Sequence, residues 1–315
     1  MIAVDVMGGD YAPKAILDGS IKAAIEGIPI LLVGPQNVVL NYLNDLNFSW
    51  RDLPIEIQDS SEVIGMGEDP VKSVLEKKKS SLVLAVQAVK SGKCSAVVSA
   101  GNSGALMAAA NFVLGRAEGI ERSPIAGFLP GISKSVLCLD LGANVDCKSF
   151  YFEQFANLGV SYLESKSLVV NPRVGLLSNG TEPGKGSSLV KEAFKLLSRS
   201  KLNFVGNVEP KDIVENRADI VVCDGFAGNI LLKSFESMFH MLKELYFKRL
   251  SGFQKDESLS LFGECFWGDF AQAADWTKQG GAFLLGINGS VVVAHGCSNS
   301  VAVKNAILLA ASVSK

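Results

Sequence analysis

Histidine is almost missing from this chain: two occur, His240 and His295, in 315 residues. The six cysteines, at 94, 138, 147, 223, 265 and 297, include no C-x-x-C pair. No ligand cluster for zinc or iron is therefore spelled out, and neither a metal nor another cofactor is expected. The cysteines fall mostly inside apolar runs and read as reduced core residues of a cytosolic protein. Charge of one sign is lacking too. Lys plus Arg number 30 against 32 Asp plus Glu, a net charge of -2, so there is no global basic field to hold a nucleic acid and no such partner is expected. The N-terminal run reaches Asp5 without a basic stretch or a long apolar segment, so no export signal is expected and the location is read as cytoplasmic. Two uncharged stretches, 94–115 and 279–303, are long enough to span a membrane. Their Asn, Ser, Gly and His content argues instead for buried strands and helices, because unpaired polar groups in hydrocarbon cost several kcal/mol each.

What is present is ordinary globular material, 48% hydrophobic and 20% charged, with 31 glycines. This excludes disordered, collagen-like and coiled-coil classes. Val, Ile and Leu concentrate in short runs at 2–6, 29–33, 96–99, 136–141, 174–177, 203–205, 220–223 and 291–294. Segments of helical period fall between them, at 13–26, 73–91, 105–115, 187–197, 229–250 and 299–312. Strands that are apolar throughout are buried on both faces, and their alternation with helices predicts an α/β fold, a mostly parallel sheet in an αβα sandwich. No repeat, low-complexity tract or Pro/Ser-rich linker marks a cut, so 1–315 reads as a single domain with an amphipathic helical segment near 229–270.

In parallel sheets ligands collect beyond the carboxyl ends of strands. Five predicted strand ends carry glycine and polar residues. They hold Asp5, Gly8, Gly9 and Asp10; Gly101, Asn102, Ser103 and Gly104; Asn144 and Asp146; the run Ser178 to Ser187 around Lys185; and Asp224, Gly228 and Asn229. Backbone N–H groups, Asn amides and one lysine equip such loops for an oxyanion or phosphate. Alone, Lys185 reads either as a phosphate ligand or as a solvated loop lysine. The 180–187 run is no Walker loop, because only three residues separate Gly180 from Gly184 and Gly186 intervenes between Lys185 and Ser187. No G-x-G-x-x-G follows the first strand, which argues against a dinucleotide site. Gly101-Asn102-Ser103-Gly104-Ala105 nearly matches a nucleophile elbow, and Asp224 and His295 follow in hydrolase order. A serine hydrolase is thus a minor alternative. His240 reads as a helix-face residue. His295 ends a buried strand and reads either as ligand-facing or as a core imidazole.

Ile2 to Pro13, Val98 to Ala108, Leu139 to Cys147, the Lys185 loop, Gly206 to Glu209, Val222 to Lys233 and Gly280 to Asn299 together resemble, in order and over essentially the whole chain, the bacterial phosphate acyltransferase (PlsX) family of phospholipid synthesis. Asn102-Ser103 stands where Asn-Thr is common in that family and keeps the hydroxyl. The resemblance implies transfer of a fatty acyl group from acyl-acyl carrier protein to inorganic phosphate. It also implies a homodimer and a fold similar to isopropylmalate dehydrogenases and phosphate acetyltransferases, with Lys185 and Asn229 as the catalytic pair. Phosphate is its own nucleophile and a thiolate leaves readily, which suits a chain so poor in histidine. Lys185 is expected on phosphate and developing charge, and Asn229 on the oxyanion or phosphate. Amides around Gly8, Gly9, Gly101 and Gly104 would complete the cradle, and His295 would add a hydrogen bond. Alternatives are an acetyl- or butyryltransferase using coenzyme A, or a non-catalytic carrier-protein or lipid-binding regulator.

Lys72, Lys77, Lys78 and Lys79, with Lys90 and Lys93, offer a basic patch for an acidic carrier protein or a merely solvated helix. Apolar residues recur at Phe235, Met238, Phe239, Leu242, Leu245, Tyr246, Leu250 and Phe253, with cations between them. That stripe reads as core or dimer interface, or as a peripheral membrane hook.

Overall fold

The computed structural model describes residues 1–250 and 280–313. Cys265, Phe253 and the part of the amphipathic segment beyond 250 lie outside them. The chain forms two compact units, 1–123 with the C-terminal stretch, and the intervening chain from Pro124.

In the first unit β1 (Ile2–Asp5), α1 (Lys14–Ile25), β2 (Ile30–Gly34), α2 (Gln36–Asn44) and β3 (Ile55–Asp59) are followed by α3 (Pro70–Glu76), α4 (Ser81–Lys90), β4 (Ala96–Ser99) and α5 (Ser103–Ala109). In the second unit come β5 (Ile125–Leu129), β6 (Val136–Leu139), α6 (Ser149–Ser165), β7 (Val174–Leu177), α7 (Ser188–Leu197), β8 (Phe204–Val208), α8 (Pro210–Val214), β9 (Ile220–Val222) and α9 (Gly225–Leu250). The chain then returns to the first unit with β10 (Ala282–Leu284), β11 (Ser290–Val293) and α10 (Ser300–Val313).

The first unit orders its strands β3-β2-β1-β4-β11-β10, and only the β11–β10 pair is antiparallel. From β1 the chain steps outward through β2 to β3, then crosses back to place β4 on the other side of β1. Right-handed crossovers then put α1 and α2 on one face and α3 and α4 on the other. The reversal leaves a crevice over the carboxyl ends of β1 and β4, where ligands of such sheets bind. The second unit orders its strands β5-β6-β9-β7-β8, parallel except for β5–β6. The expected mostly parallel sheet with flanking helices is therefore present.

Every residue of β1, β2, β4, β6 and β9 is buried, as sheets covered on both faces require. In the second unit Phe152 and Phe155 of α6 are fully buried, each such side chain contributing about 1.5–3 kcal/mol. Gly159 lets that helix lie close to the sheet, since a Cβ there would sit 3.1 Å from Leu139 and 3.2 Å from Ile220.

The segment 73–91, expected as one helix, is two. Asp69 caps α3 by accepting from the Lys72 N–H, and Ser80 starts α4 by accepting from the Val83 N–H. Strands β3, β5 and β10 and helices α2, α6 and α8 were not among the expected elements. Three of the six cysteines, Cys94, Cys138 and Cys223, are buried as free thiols, whereas Cys297 is exposed and not a core residue.

Candidate functional site

In the first unit the loops after β1, β4 and β11 meet. Asp5, 2% exposed at the end of β1, accepts hydrogen bonds from Ser81 (2.6 Å), Ser99 (2.7 Å) and the Met7 N–H (3.3 Å). Burial pushes its carboxyl above the usual range, and these donated bonds oppose the rise. Gly8 is wedged against the next loop: a Cβ would fall 2.6 Å from Asp5 Oδ2 and 2.7 Å from the Gly101 nitrogen. Asp10 donates its N–H to the Gly296 carbonyl, 2.8 Å away, which brings the segment beside His295 onto the Gly8-Gly9 turn. His295 is half-buried and its carbonyl accepts from the Ser298 N–H.

Asn102 spends its whole side chain on backbone. Its Oδ1 caps α5 through the Ala105 N–H, and its Nδ2 donates to the carbonyls of Met66 and Glu68. Ser103 is exposed at the first turn of α5, while Gly104 packs against Pro70, 2.7 Å from its would-be Cβ. On the same unit Lys72, Lys78 and Lys79 are exposed. Lys77 differs, because its ammonium donates to the Val63 carbonyl and pairs with Glu68 at 2.6 Å.

The second unit gathers the loops after β6, β7 and β9. Asp140, completely buried, accepts N–H bonds from Ile125, Gly142, Ala143 and Asn144 and another from the Asn144 carboxamide, at 2.6–3.1 Å. Burial raises its pKa against the pull of those donors. The loop so held carries Asn144, and Asp146 stands exposed on it. Its Gly142 faces Asn229, whose Cβ lies 3.5 Å from a Cβ built there. Asp224 caps α9 by accepting from the Ala227 N–H at 2.8 Å. Gly228 allows the first turn of that helix to touch the Asp140 carbonyl. Burial and the carboxylates of Asp140, Asp224 and Asp146 push the Cys147 thiol up to about 12, which disfavours its thiolate.

The Lys185 loop is braced from three sides. Asn179 Oδ1 accepts the Gly186 N–H (2.9 Å), Asn207 Nδ2 donates to the Glu182 carbonyl (2.8 Å), and Ser187 caps α7 through the Val190 N–H. The stem of Lys185 lies over Gly180, 2.8 Å from its would-be Cβ. Beside this loop a cavity of about 1160 Å³ runs among β7, α7, α8 and α9. Asp140, Asn179 and Asn207 carry bracing roles that the sequence does not single out, although each sits in a glycine-bearing or motif-bearing strand end. Leu250 ends α9, but its side chain is outside the described residues. Phe239 is half-buried, whereas Leu242 and Leu245 are 39% and 54% exposed. Among the described residues no helix is long and apolar enough to cross a membrane.

Over residues 1–315 the sequence matches the family described as fatty acid synthesis protein. It is 43% identical over 309 residues to the phosphate acyltransferase of Clostridium botulinum strain Langeland, covering 98% of this chain and 92% of that protein. It is 45% identical over 314 residues to the phosphate acyltransferase of Citrifermentans bemidjiense, covering 98% and 88%. The chain belongs to the phosphate acyltransferase family. It is accordingly an enzyme, an acyltransferase with acyl and phosphate substrates. The fold is shared more widely than the family. A phosphotransacetylase from Streptococcus pyogenes superposes with a TM-score of 0.63 at 17% identity, covering 100% of this chain and 94% of that one. A 4-hydroxythreonine-4-phosphate dehydrogenase from Klebsiella pneumoniae gives 0.57 at 14% identity, with 100% and 99% covered. The expected likeness to phosphate acetyltransferase folds is thus met.

Proposed function

We propose that the enzyme transfers a fatty acyl group from acyl-acyl carrier protein to inorganic phosphate, giving acyl phosphate for phospholipid synthesis and free carrier protein. A phosphate oxygen attacks the thioester carbon and forms a tetrahedral oxyanion. The oxyanion collapses with cleavage of the C–S bond, and the departing thiolate takes up a proton. Phosphate is ionised near neutral pH and a thiol pKa is about 8.5, so neither a strong base nor a covalent enzyme intermediate is required. The protein's tasks are to position the anion and to stabilise developing charge.

The observation that carries this reading is the pair Lys185 and Asn229. Among the described residues neither the ammonium nor the carboxamide has a protein partner, while the side chains of Asp140, Asn144, Asn179, Asn207 and Asp224 around them all bond to other groups of this unit. Lys185 is assigned to phosphate and Asn229 to the oxyanion or phosphate. In the first unit, the glycine loops at Gly8, Gly9, Gly101 and Gly104 and the imidazole of His295 are assigned to substrate binding. Exposed Lys72, Lys78 and Lys79 are assigned to the acidic carrier protein, and Lys77, engaged by Glu68 and the Val63 carbonyl, is left out of that dock. A homodimer, and peripheral association with the inner face of a membrane through the apolar stripe of α9, complete the proposal.

Labelled phosphate supplied with palmitoyl-carrier protein, palmitoyl-CoA, butyryl-CoA or acetyl-CoA tests it. Phosphate-dependent acyl phosphate formed fastest from the carrier-protein thioester is expected. Thioester loss that ignores phosphate, a preference for acetyl- or butyryl-CoA, or no turnover on any donor would overturn it in favour of the hydrolase, the coenzyme A transferase or the regulator.

A further inference from the structure

We propose that the cavity along α9 holds the alkyl tail of the acyl donor, with its thioester end at the Lys185 loop and its methyl end toward Met238. The inference rests on the long-chain transfer reading above and specifies where in the second unit the tail lies.

The lining changes character along the cavity. Asn179, Gly186 and Ser187 from the Lys185 loop and Asp224 from the end of β9 border it at the strand ends. Further along, the wall is Val190, Val214, Ile230, Leu231, Phe235 and Met238. From Asp224 to Met238 is fourteen residues of helix, about 21 Å at 1.5 Å per residue, which suits an extended chain and not a compact acetyl group. The charged side chains on the wall are already engaged: Lys211 lies 3.7 Å from Glu209, and Asp224 caps α9. Apart from Lys211 and Ser234, whose hydroxyl donates to the Ile230 carbonyl, the stretch is apolar.

Part of that wall is left exposed by the described residues. Phe226 is 61%, Ile230 50% and Met238 54% exposed. An alkyl tail laid against such side chains strengthens binding about fourfold for each methylene removed from water. Because the cavity shares Gly186 and Ser187 with the loop of Lys185, a tail lying in it carries its carbonyl toward the residue assigned to phosphate.

The test uses Ile230→Trp, near the strand ends, and Met238→Trp, fourteen residues into the wall and at an exposed position that tolerates bulk. Two quantities are measured on the full chain: the ratio of kcat/KM for palmitoyl over butyryl donors, and the affinity for the fluorescent fatty acid cis-parinaric acid. Sedimentation is followed alongside. In Ile230→Trp both the ratio and the affinity should fall by about 10-fold or more, and Met238→Trp should lower the ratio by a smaller factor. Values within about twofold of the parent in both variants would overturn the proposal. So would a loss of dimer with an unchanged ratio, which would assign the cavity to a second copy of the chain. Parent protein that lacks phosphate-dependent turnover, yet binds the probe in a manner abolished by Ile230→Trp, would sink the transfer reading and leave the alkyl site standing.

Discussion

Gly228 lies so close to the backbone carbonyl of Asp140 that a Cβ built on it would fall 1.9 Å from that oxygen and 2.8 Å from Cys223 Sγ. No rotamer relieves that clash, because the atoms it meets are a carbonyl and a fully packed thiol. The first turn of α9 therefore depends on the absence of a side chain at 228, and Asn229 is the next residue along.

Gly228→Ala should push α9 off the end of β6 and move the Asn229 carboxamide with it. A displacement near 1 Å at a reacting group costs roughly 100-fold in rate, so turnover should fall by about that factor and the melting temperature should drop. Gly184 in the Lys185 loop has nothing within 4 Å of its would-be Cβ, so Gly184→Ala is the matched control and should melt with the parent. Steady-state kinetics and thermal melts on both variants check the contrast; equal melts would show that the helix start is not tight.

Lys185→Ala and Asn229→Ala should each lower kcat/KM by roughly 100-fold or more, the scale for removing a donor to a developing oxyanion. Melting should be unchanged, since neither polar group is bonded within the described protein. Asn207→Asp should act differently. Its Nδ2 supports the Glu182 carbonyl, and a carboxylate there would repel that oxygen and loosen the loop. The expected outcome is a raised KM for phosphate with a smaller loss in kcat. A uniform loss in both parameters for Asn207→Asp would mean that the loop is braced elsewhere.

These roles differ in how far they were legible in the chain. Strands β4 and β7 were read to the residue because they are apolar at nearly every position. β3, Ile-Glu-Ile-Gln-Asp, alternates and is half-exposed at the sheet edge, so no apolar run announced it. The seventeen residues of α6 contain five aromatics and Gly159, a poor local case for helix that is settled by packing on Leu139 and Ile220. Lys185 and Asn229 stood out through loop chemistry and resemblance. Asp140 did not, because its role is to collect N–H groups from Ile125 through Asn144, and that requires the path of the loop in space. The Asn207 to Glu182 bond spans 25 positions between different strand ends and has no sequence signature.

Acid stability should depend on Asp219. Its carboxylate is 5% exposed and receives the Arg173 guanidinium at 3.0 and 3.1 Å, the Arg173 N–H at 2.8 Å and the Lys134 ammonium at 2.6 Å. Burial pushes its pKa up, but these partners outweigh burial and hold it well below the usual carboxylate range. A depressed native pKa stabilises the fold above the unfolded value of about 3.9, and that contribution is lost as pH falls through the native value. Arg173→Ala should lower stability at pH 7 by about 1.5–3 kcal/mol, the range for hydrogen bonds to charged groups, and move the acid-unfolding midpoint to higher pH. Denaturant titrations at pH 7 and a circular-dichroism acid titration read the two effects; an unmoved acid midpoint would place the linkage elsewhere.

The outward face of α9 makes the last prediction. Met238, Met241, Leu242 and Leu245 are 39–54% exposed and lie on one side of the helix at i, i+3, i+4 and i+7, an apolar stripe that the described residues leave uncovered. Two partners compete for it, a lipid surface and a second copy. Leu242→Glu with Leu245→Glu puts two carboxylates on that stripe without touching the cavity wall. If the stripe enters the lipid interface, flotation with anionic vesicles should be lost while the sedimentation coefficient stays that of the parent. If it is covered by a second copy, the double variant should sediment as a monomer with or without lipid. Should the variant both float and sediment like the parent, the stripe serves neither purpose, and membrane association through α9 falls.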